Sequence, residues 1–384
     1  MDQPLPAGFR SRTAHLGLKE DGAQDFALVV SEAPTVSAAV YTKSRFAGPS
    51  VLLNRATADR RDARGVVVVS RNANVATGTA GAADAAELRR LAAELAGVEP
   101  EQLLVASTGV IGRRYPMDAI RTGLAALGEP QAPADFDAAA RAIMTTDTRP
   151  KTIRLTCGDA VLVGIAKGVG MIEPDMATLL TFFFTDAAID PAELDAVFRR
   201  VVDRSFNALS IDTDTSTSDT AAIFANGLAG PVDPAGFERV LERAALALVR
   251  EIASDGEGAG KLVEVRVTGA GSAAQAKRVG KAVVNSPLVK TSVHGADPNW
   301  GRVAMAVGKV DDPALDPALI TIGYGELEVY PAEADESVLE RLRAYLSGDE
   351  VVIGIDLGLG EERFTVYGCD LTAGYVELNA GYTS

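Results

Sequence analysis

The stretch that most constrains this chain lies near its middle: Lys167-Gly-Val-Gly-Met-Ile-Glu-Pro-Asp-Met-Ala177-Thr178-Leu-Leu-Thr-Phe-Phe-Phe184. A glycine-rich turn and a proline lead into a small residue, a threonine and an apolar run of strand character, Leu179 to Phe184. Thr178 therefore stands at the head of a buried strand. If the peptide bond before it is cut, the new terminal amine lies within reach of the same residue's hydroxyl and can serve as its base. Without such a cut, Thr178 reads as a β-branched strand residue and nothing more.

The segments around this stretch alternate between strand and helix. Phe26–Val30 and Val36–Val40 read as short strands, and the β-branched run Gly65–Val69 as a strand buried on both faces that delivers Asn72 and Asn74. Leu88, Leu91 and Leu95 recur at helical spacing, so a helix is predicted over 84–95, with Asp84 as cap, Glu87 three residues on and an end near Gly97. Leu103–Ala106 is a strand running into a polar turn, Ser107-Thr108-Gly109, where backbone amides can point into a cleft. A helix over 134–144 brings the chain to Thr145, Thr146 and Asp147, and Val161–Ala166 is the strand that enters the central motif. Lys167, set between Ala166 and Gly168 in an apolar approach, is placed to face a cleft rather than solvent. Asp190-Pro191 and Asp233-Pro234 each open a helix, with aspartate as cap and proline in the first turn. From about residue 260 the texture changes to strands over 262–268, 282–284, 319–322, 351–357 and 364–367 with a helix over 337–346, which reads as a smaller C-terminal α/β subdomain.

Composition narrows the function classes. A chain of 384 residues with 47% hydrophobic and 23% charged residues is a soluble globular protein of one large or two smaller domains. Its formal net charge of -15 argues against nucleic acid and anionic membrane as partners. The N-terminus lacks the regions of a signal peptide, and no apolar run approaches the ~18 residues of a membrane helix. Cys157 and Cys369 make no disulfide framework, which fits a cytoplasmic setting, and His15 and His294 are too scattered to build a zinc site with them. Gly168-Val-Gly170 lacks the third glycine of a dinucleotide fingerprint. Asp212, Asp214 and Ser216 start like a calcium loop, but Thr217 and Ile223 stand where glycine and glutamate are required. That polar stretch is either a turn supporting a site or plain turn chemistry.

Ala166–Leu180 resembles the self-cleavage site of the ornithine acetyltransferase family, the glutamate N-acetyltransferases of the arginine pathway. Six further segments resemble the family in its own order: Arg71–Gly78, Ala106–Gly112, Ile143–Thr148, Ser210–Thr220, Ser254–Gly258 and Asn285–Arg302. The resemblance implies a mixed α/β fold of four layers, α/β/β/α, with two stacked mixed sheets. It implies self-cleavage between Ala177 and Thr178, giving chains 1–177 and 178–384 that stay associated, with Thr178 as nucleophile. The Thr108 hydroxyl and the Gly109 amide would form the oxyanion hole. Lys167, eleven residues before Thr178, Glu257, Asn379 and Ser384 would contact the amino-acid substrate, and either Thr145 or Thr146 would supply the remaining contact. The chain departs from the family at Ala259-Gly260-Lys261, where Ala-Thr-Lys is common, and at Ala76, where many members carry cysteine.

The implied activity is transfer of acetyl from N2-acetylornithine to glutamate through an acetyl-Thr178 enzyme, without metal or cofactor. No stretch identifies a coenzyme A pocket, which leaves acetyl-CoA open as a second donor. The cleaved chains are expected to assemble as α2β2 or larger. The alternatives are a paralogue serving a secondary pathway, an aminopeptidase or amidohydrolase on the same scaffold in which water replaces glutamate, and a non-catalytic amino-acid-binding protein.

Overall fold

The computed structural model describes residues 4–173 and 179–381; Ala177, Thr178 and Ser384 lie outside the described residues. The first of three mixed sheets contains β1 (Phe9–Ala14), β2 (Phe26–Ser31), β4 (Gly65–Asn72) and β5 (Leu103–Val110), in that order. The second contains β3 (Val36–Tyr41), β9 (Thr220–Pro231), β8 (Leu180–Ala188), β7 (Ala160–Lys167) and β6 (Lys151–Cys157). In each sheet one neighbouring pair is parallel, β4 with β5 and β8 with β9, and the others are antiparallel.

Side-chain alternation explains why these sheets stack. Along β4, Val66 and Val68 point into the space between the sheets, while Val67 and Val69 point outward. Along β8, Phe182 and Phe184 point into the same inter-sheet core and Phe183 points away from it. The rings of Phe184 and Phe224 stack there at 5.4 Å, with Phe9 and Phe136 at 5.5 and 5.1 Å from Phe184. Strands apolar on both faces need cover on both. Helices α2 (Gly78–Ala96) and α3 (Met117–Ala126) cover the outer face of the first sheet, and α5 (Pro191–Arg204) and α6 (Pro234–Ser254) that of the second. The result is the four-layer α/β/β/α arrangement, with α1 (Pro49–Arg55) and α4 (Phe136–Ala142) at its margins.

The third sheet lies wholly within residues 262–369. Its order is β12 (Leu327–Tyr330), β11 (Thr321–Tyr324), β13 (Glu350–Asp356), β10 (Leu262–Ala270) and β14 (Glu362–Cys369). It builds its own core with α7 (Ala273–Val284), α8 (Pro287–His294), α9 (Gly301–Gly308) and α10 (Glu336–Leu346). Helix α11 (Ala373–Gly381) closes the described chain. Among the described residues no helix is long and apolar enough to cross a membrane.

Three local expectations need correction. Helix α2 starts at Gly78, so Asp84 lies inside it and caps nothing; its buried carboxylate accepts two hydrogen bonds from Arg114, both 2.7 Å. Residues 282–284 end helix α7, whose buried Ala276, Val279 and Val283 follow helical spacing; the short valine run alone could not distinguish this from a strand. Ser107, Thr108 and Gly109 are part of β5 rather than a turn, since the pairing with β4 continues to Asn72 and Val110. The aspartate caps fare better: Asp190 accepts from the amides of Ala192 and Glu193, and Asp233 from that of Gly236.

Candidate active site

One pocket gathers residues from eight parts of the chain: Thr108 and Gly109 of β5, Thr145 and Thr146 after α4, Lys167 ending β7, Gly170 and Met171 beyond it, Leu179 and Leu180 entering β8, the polar turn Ser216–Asp219, Glu257 after α6 and Asn379 on α11. All the described residues named as site candidates from sequence therefore line the same space. Leu179 marks the point at which Thr178 joins the described chain.

One backbone feature and one side-chain hydrogen bond fix the donors. Gly109 has φ of +126°, and a Cβ there would lie 2.3 Å from the Arg71 carbonyl carbon, so only glycine fits. The buried Lys167 donates from Nζ to Thr108 Oγ1 at 3.2 Å. An ammonium has no lone pair, so the threonine oxygen is the acceptor and its own O–H remains a donor for a third atom. Burial drives the Lys167 pKa below its ordinary value; Asp147 opposes this, Lys151 adds to it, and Asp219 and Glu257 oppose it.

Glu257 forms the opposite wall. Its Oε1 accepts from the Thr146 hydroxyl at 2.8 Å and its Oε2 from Asn379 Nδ2 at 2.9 Å, while its amide donates to the Val169 carbonyl at 2.8 Å. The carboxylate packs on the bare backbone of Gly170, where a Cβ would come within 2.4 Å of Oε2. Of the two threonines that sequence could not separate, both line the pocket, and Thr146 carries the hydroxyl bonded to Glu257. Thr145 donates its amide to Asp147 Oδ2 at 3.1 Å.

Behind the pocket lies a charge cluster that the sequence reading missed. Lys151 Nζ, with a fully buried side chain, sits 2.8 Å from Asp147 Oδ1 and 2.6 Å from Asp255 Oδ2. Asp147 also accepts from the Gly168 amide at 2.8 Å, and Asp255 from the amide and hydroxyl of Thr148. Burial alone would raise the Asp147 pKa, but Lys167 and Lys151 outweigh it and hold the carboxyl below its usual value. One cation thus joins the threonine segment, the end of β7 and the turn that carries Glu257.

The polar stretch 210–220 is a supporting turn. Asp212 accepts from the amides of Met171 and Ile172 at 2.6 and 2.8 Å. The Glu173 amide donates to the Asp214 carbonyl at 2.9 Å, and its carboxylate accepts from Ser210 and Asn285 at 3.0 and 2.6 Å. The chain is thereby anchored up to Glu173, the last described residue before the expected cut.

The sequence profile of the ArgJ family matches residues 10–384. The chain belongs to the ArgJ family. It is 62% identical to glutamate N-acetyltransferase Oat2 of Streptomyces clavuligerus, covering 99% of this chain and 98% of that protein. It is 51% identical to the arginine biosynthesis bifunctional protein ArgJ of Rhodococcoides fascians, covering 100% and 96%. The crystal structure of ArgJ from Bacillus halodurans is 38% identical, covers 51% of this chain and 96% of its own, and superposes with a TM-score of 0.48.

The buried cluster of this ArgJ-family chain makes a testable demand. Lys151→Met would leave two buried carboxylates without their shared cation, a loss of about 3–5 kcal/mol at neutral pH. In the parent chain the lowered Asp147 pKa contributes stability above the unfolded carboxylate pKa, and that contribution fades as pH falls through the folded value. In the variant Asp147 loses one of the two cations that offset its burial, so its charged form is held less well and the destabilisation is greatest at high pH and relieved on protonation. Urea unfolding should therefore show the gap narrowing between neutral pH and about pH 4; a constant gap would contradict the electrostatic role of Lys151.

Proposed function

We propose that the chain is a self-processing N-acetyltransferase that moves acetyl from N2-acetylornithine to glutamate in arginine biosynthesis, giving ornithine and N-acetylglutamate. The observation that carries this reading is the convergence of Thr108, Gly109, Lys167 and Glu257 on the pocket where the chain enters β8. The 62% identity to a glutamate N-acetyltransferase supports it.

In processing, the Thr178 hydroxyl attacks the Ala177 carbonyl and a proton passes to the nitrogen of residue 178 as the peptide bond breaks, which frees the amine; water then hydrolyses the resulting ester and frees the hydroxyl. The sheet order supports continued association of the products: β3, β6 and β7 belong to 1–177, whereas β8 and β9 belong to 178–384, and the second sheet runs β3-β9-β8-β7-β6. A cut in the connection from Lys167 to Leu180, which pair across β7 and β8, breaks no strand pairing.

In turnover, the Thr178 amine takes the hydroxyl proton as Oγ attacks the acetyl carbonyl, and the same proton passes to the departing ornithine nitrogen. The tetrahedral oxygen is received by the Thr108 hydroxyl and the Gly109 amide, with the Lys167 ammonium beside them. Glu257 supplies negative charge for an ammonium group of the amino acid, and Thr145, Thr146, Lys167, Asn379 and Ser384 complete its contacts. Glutamate then collects the acetyl group. The chemistry asks for no metal or cofactor, acetyl-CoA is an additional donor to be tried, and the enzyme works in the cytoplasm as α2β2 or a larger assembly of its cleaved chains.

Two outcomes test the proposal. Purified protein should separate on denaturing gels into chains 1–177 and 178–384 without added protease, and Thr178→Ala should remain whole; a Thr178→Ala protein cut at the same bond would exclude the mechanism. Thr108→Val keeps the branched shape and deletes the donor, so kcat should fall on the order of 10²–10³, about 2.7–4 kcal/mol, with a smaller change in KM. Normal kcat in a folded, processed variant would leave the Gly109 amide as the only proposed donor.

A further inference from the structure

Asp219 ends the polar turn before β9 and is 2% exposed. It shares the pocket wall with Leu179, Leu180 and Lys167, yet its Oδ2 has no hydrogen-bond partner among the described residues. A buried carboxyl oxygen left unpaired is costly, and such atoms in folded proteins call for an explanation. The backbone around it is firmly set. The Asp219 carbonyl accepts from the Thr42 amide at 3.1 Å, and the next amide, of Thr220, donates to the Leu179 carbonyl at 3.0 Å. Because Leu180 and Thr220 are partners in the parallel pair β8–β9, Asp219 stands alongside the point where the chain enters β8. Residue 178 is bonded directly to Leu179.

The charges facing Asp219 decide what it can do. Lys167 from β7 is the cation nearest in effect, the Ser216 hydroxyl hydrogen-bonds to it from the turn, and burial pushes its carboxyl well above the usual range against both. Behind Lys167 stand Asp147 and Lys151, and Glu257 faces Lys167 from beyond α6. In the uncut chain the nitrogen of residue 178 is an amide and carries no charge, so nothing there calls for an ionised Asp219. A cut before Thr178 changes this, because the new amine must hold a proton during each acyl transfer. Lys167 alone would disfavour that second positive charge in the same pocket.

We infer that Asp219 is a further catalytic residue, whose carboxylate is the counter-charge to the ammonium formed on Thr178 once the chain has been cut. The inference rests on the acyl-transfer reading above. The proton leaves Thr178 Oγ for the amine as the Oγ–carbon bond forms, and passes to the ornithine nitrogen as the carbon–nitrogen bond breaks. Asp219 stays ionised throughout and exchanges no proton. The oxygen left without a partner among the described residues is thus matched to a charge that cleavage itself creates.

The test compares full-length, self-processed protein with Asp219→Asn. The acid limb of kcat/KM reports deprotonation of the amine. Removing the carboxylate should lower the amine pKa, since the charged form loses its partner, and so move that limb to lower pH by about one unit or more. kcat should fall on the order of 10- to 100-fold, and processing should still occur. As a second variant, Asp219→Ala should recover part of its rate when formate is added. An unmoved limb with unchanged kcat, or no rescue by formate, would overturn the inference. So would an uncut Asp219→Asn chain, since the carboxyl would then be needed before the amine exists. If the parent protein itself transfers no acetyl to glutamate, the acyl-transfer reading fails and this role falls with it.

Discussion

The ammonium of Lys151 lies wholly buried between Asp147 and Asp255, and each carboxylate uses its remaining acceptor positions on a different segment of the pocket. A charge so placed tolerates little displacement, because a carboxylate drawn away from it would be left buried and unpaired. The pairing ties Gly168, next to Lys167, to the Thr145–Thr148 segment and to the turn bearing Glu257. Those three segments come from β7, from the loop after α4 and from the end of α6. Without the cluster, the hydrogen bond from Thr146 to Glu257 would depend on two separate loops meeting by surface contact alone.

The second sheet gives this arrangement its other constraint. Its strands come from both halves of the chain, with β9 and β8 of the second half lying between β3 and β7 of the first, so the halves share one core rather than meeting at a surface. Residues 171–173, immediately ahead of the motif's proline, are bound on one side to Asp212 and Asp214 and on the other to Asn285. A bond can be broken in the connection between β7 and β8 while both of its flanks remain held, which is the mechanical requirement of the proposed self-cleavage.

Much of this was legible in the sequence, for identifiable reasons. Gly65–Val69 and Leu179–Phe184 are too apolar to be anything but interior strands, and Asp190-Pro191 and Asp233-Pro234 carry their cap chemistry in two adjacent residues. Thr108, Gly109, Lys167, Glu257 and Asn379 came from the family resemblance, and the fold brings them to one pocket. Lys151 gave no local signal: it opens a strand of alternating polar and apolar residues and reads as solvent-facing, and one of its partners lies 104 residues away. Asp84 lies near enough to a helical pattern to suggest a cap, and only the distant Arg114 reveals its use. Asp219 lies inside the Ser210–Thr220 motif, but that its oxygen lacks a partner among the described residues is a matter of burial, which sequence spacing does not report.

The central claim is that one threonine serves both halves of the reaction, which requires a covalent acetyl intermediate. Intact mass of the 178–384 chain after incubation with N2-acetylornithine alone measures this directly. The account predicts one added acetyl group, located on Thr178 and lost when glutamate is supplied. An unmodified chain in protein that nevertheless forms N-acetylglutamate from both substrates together would mean direct transfer between bound substrates, and would contradict it.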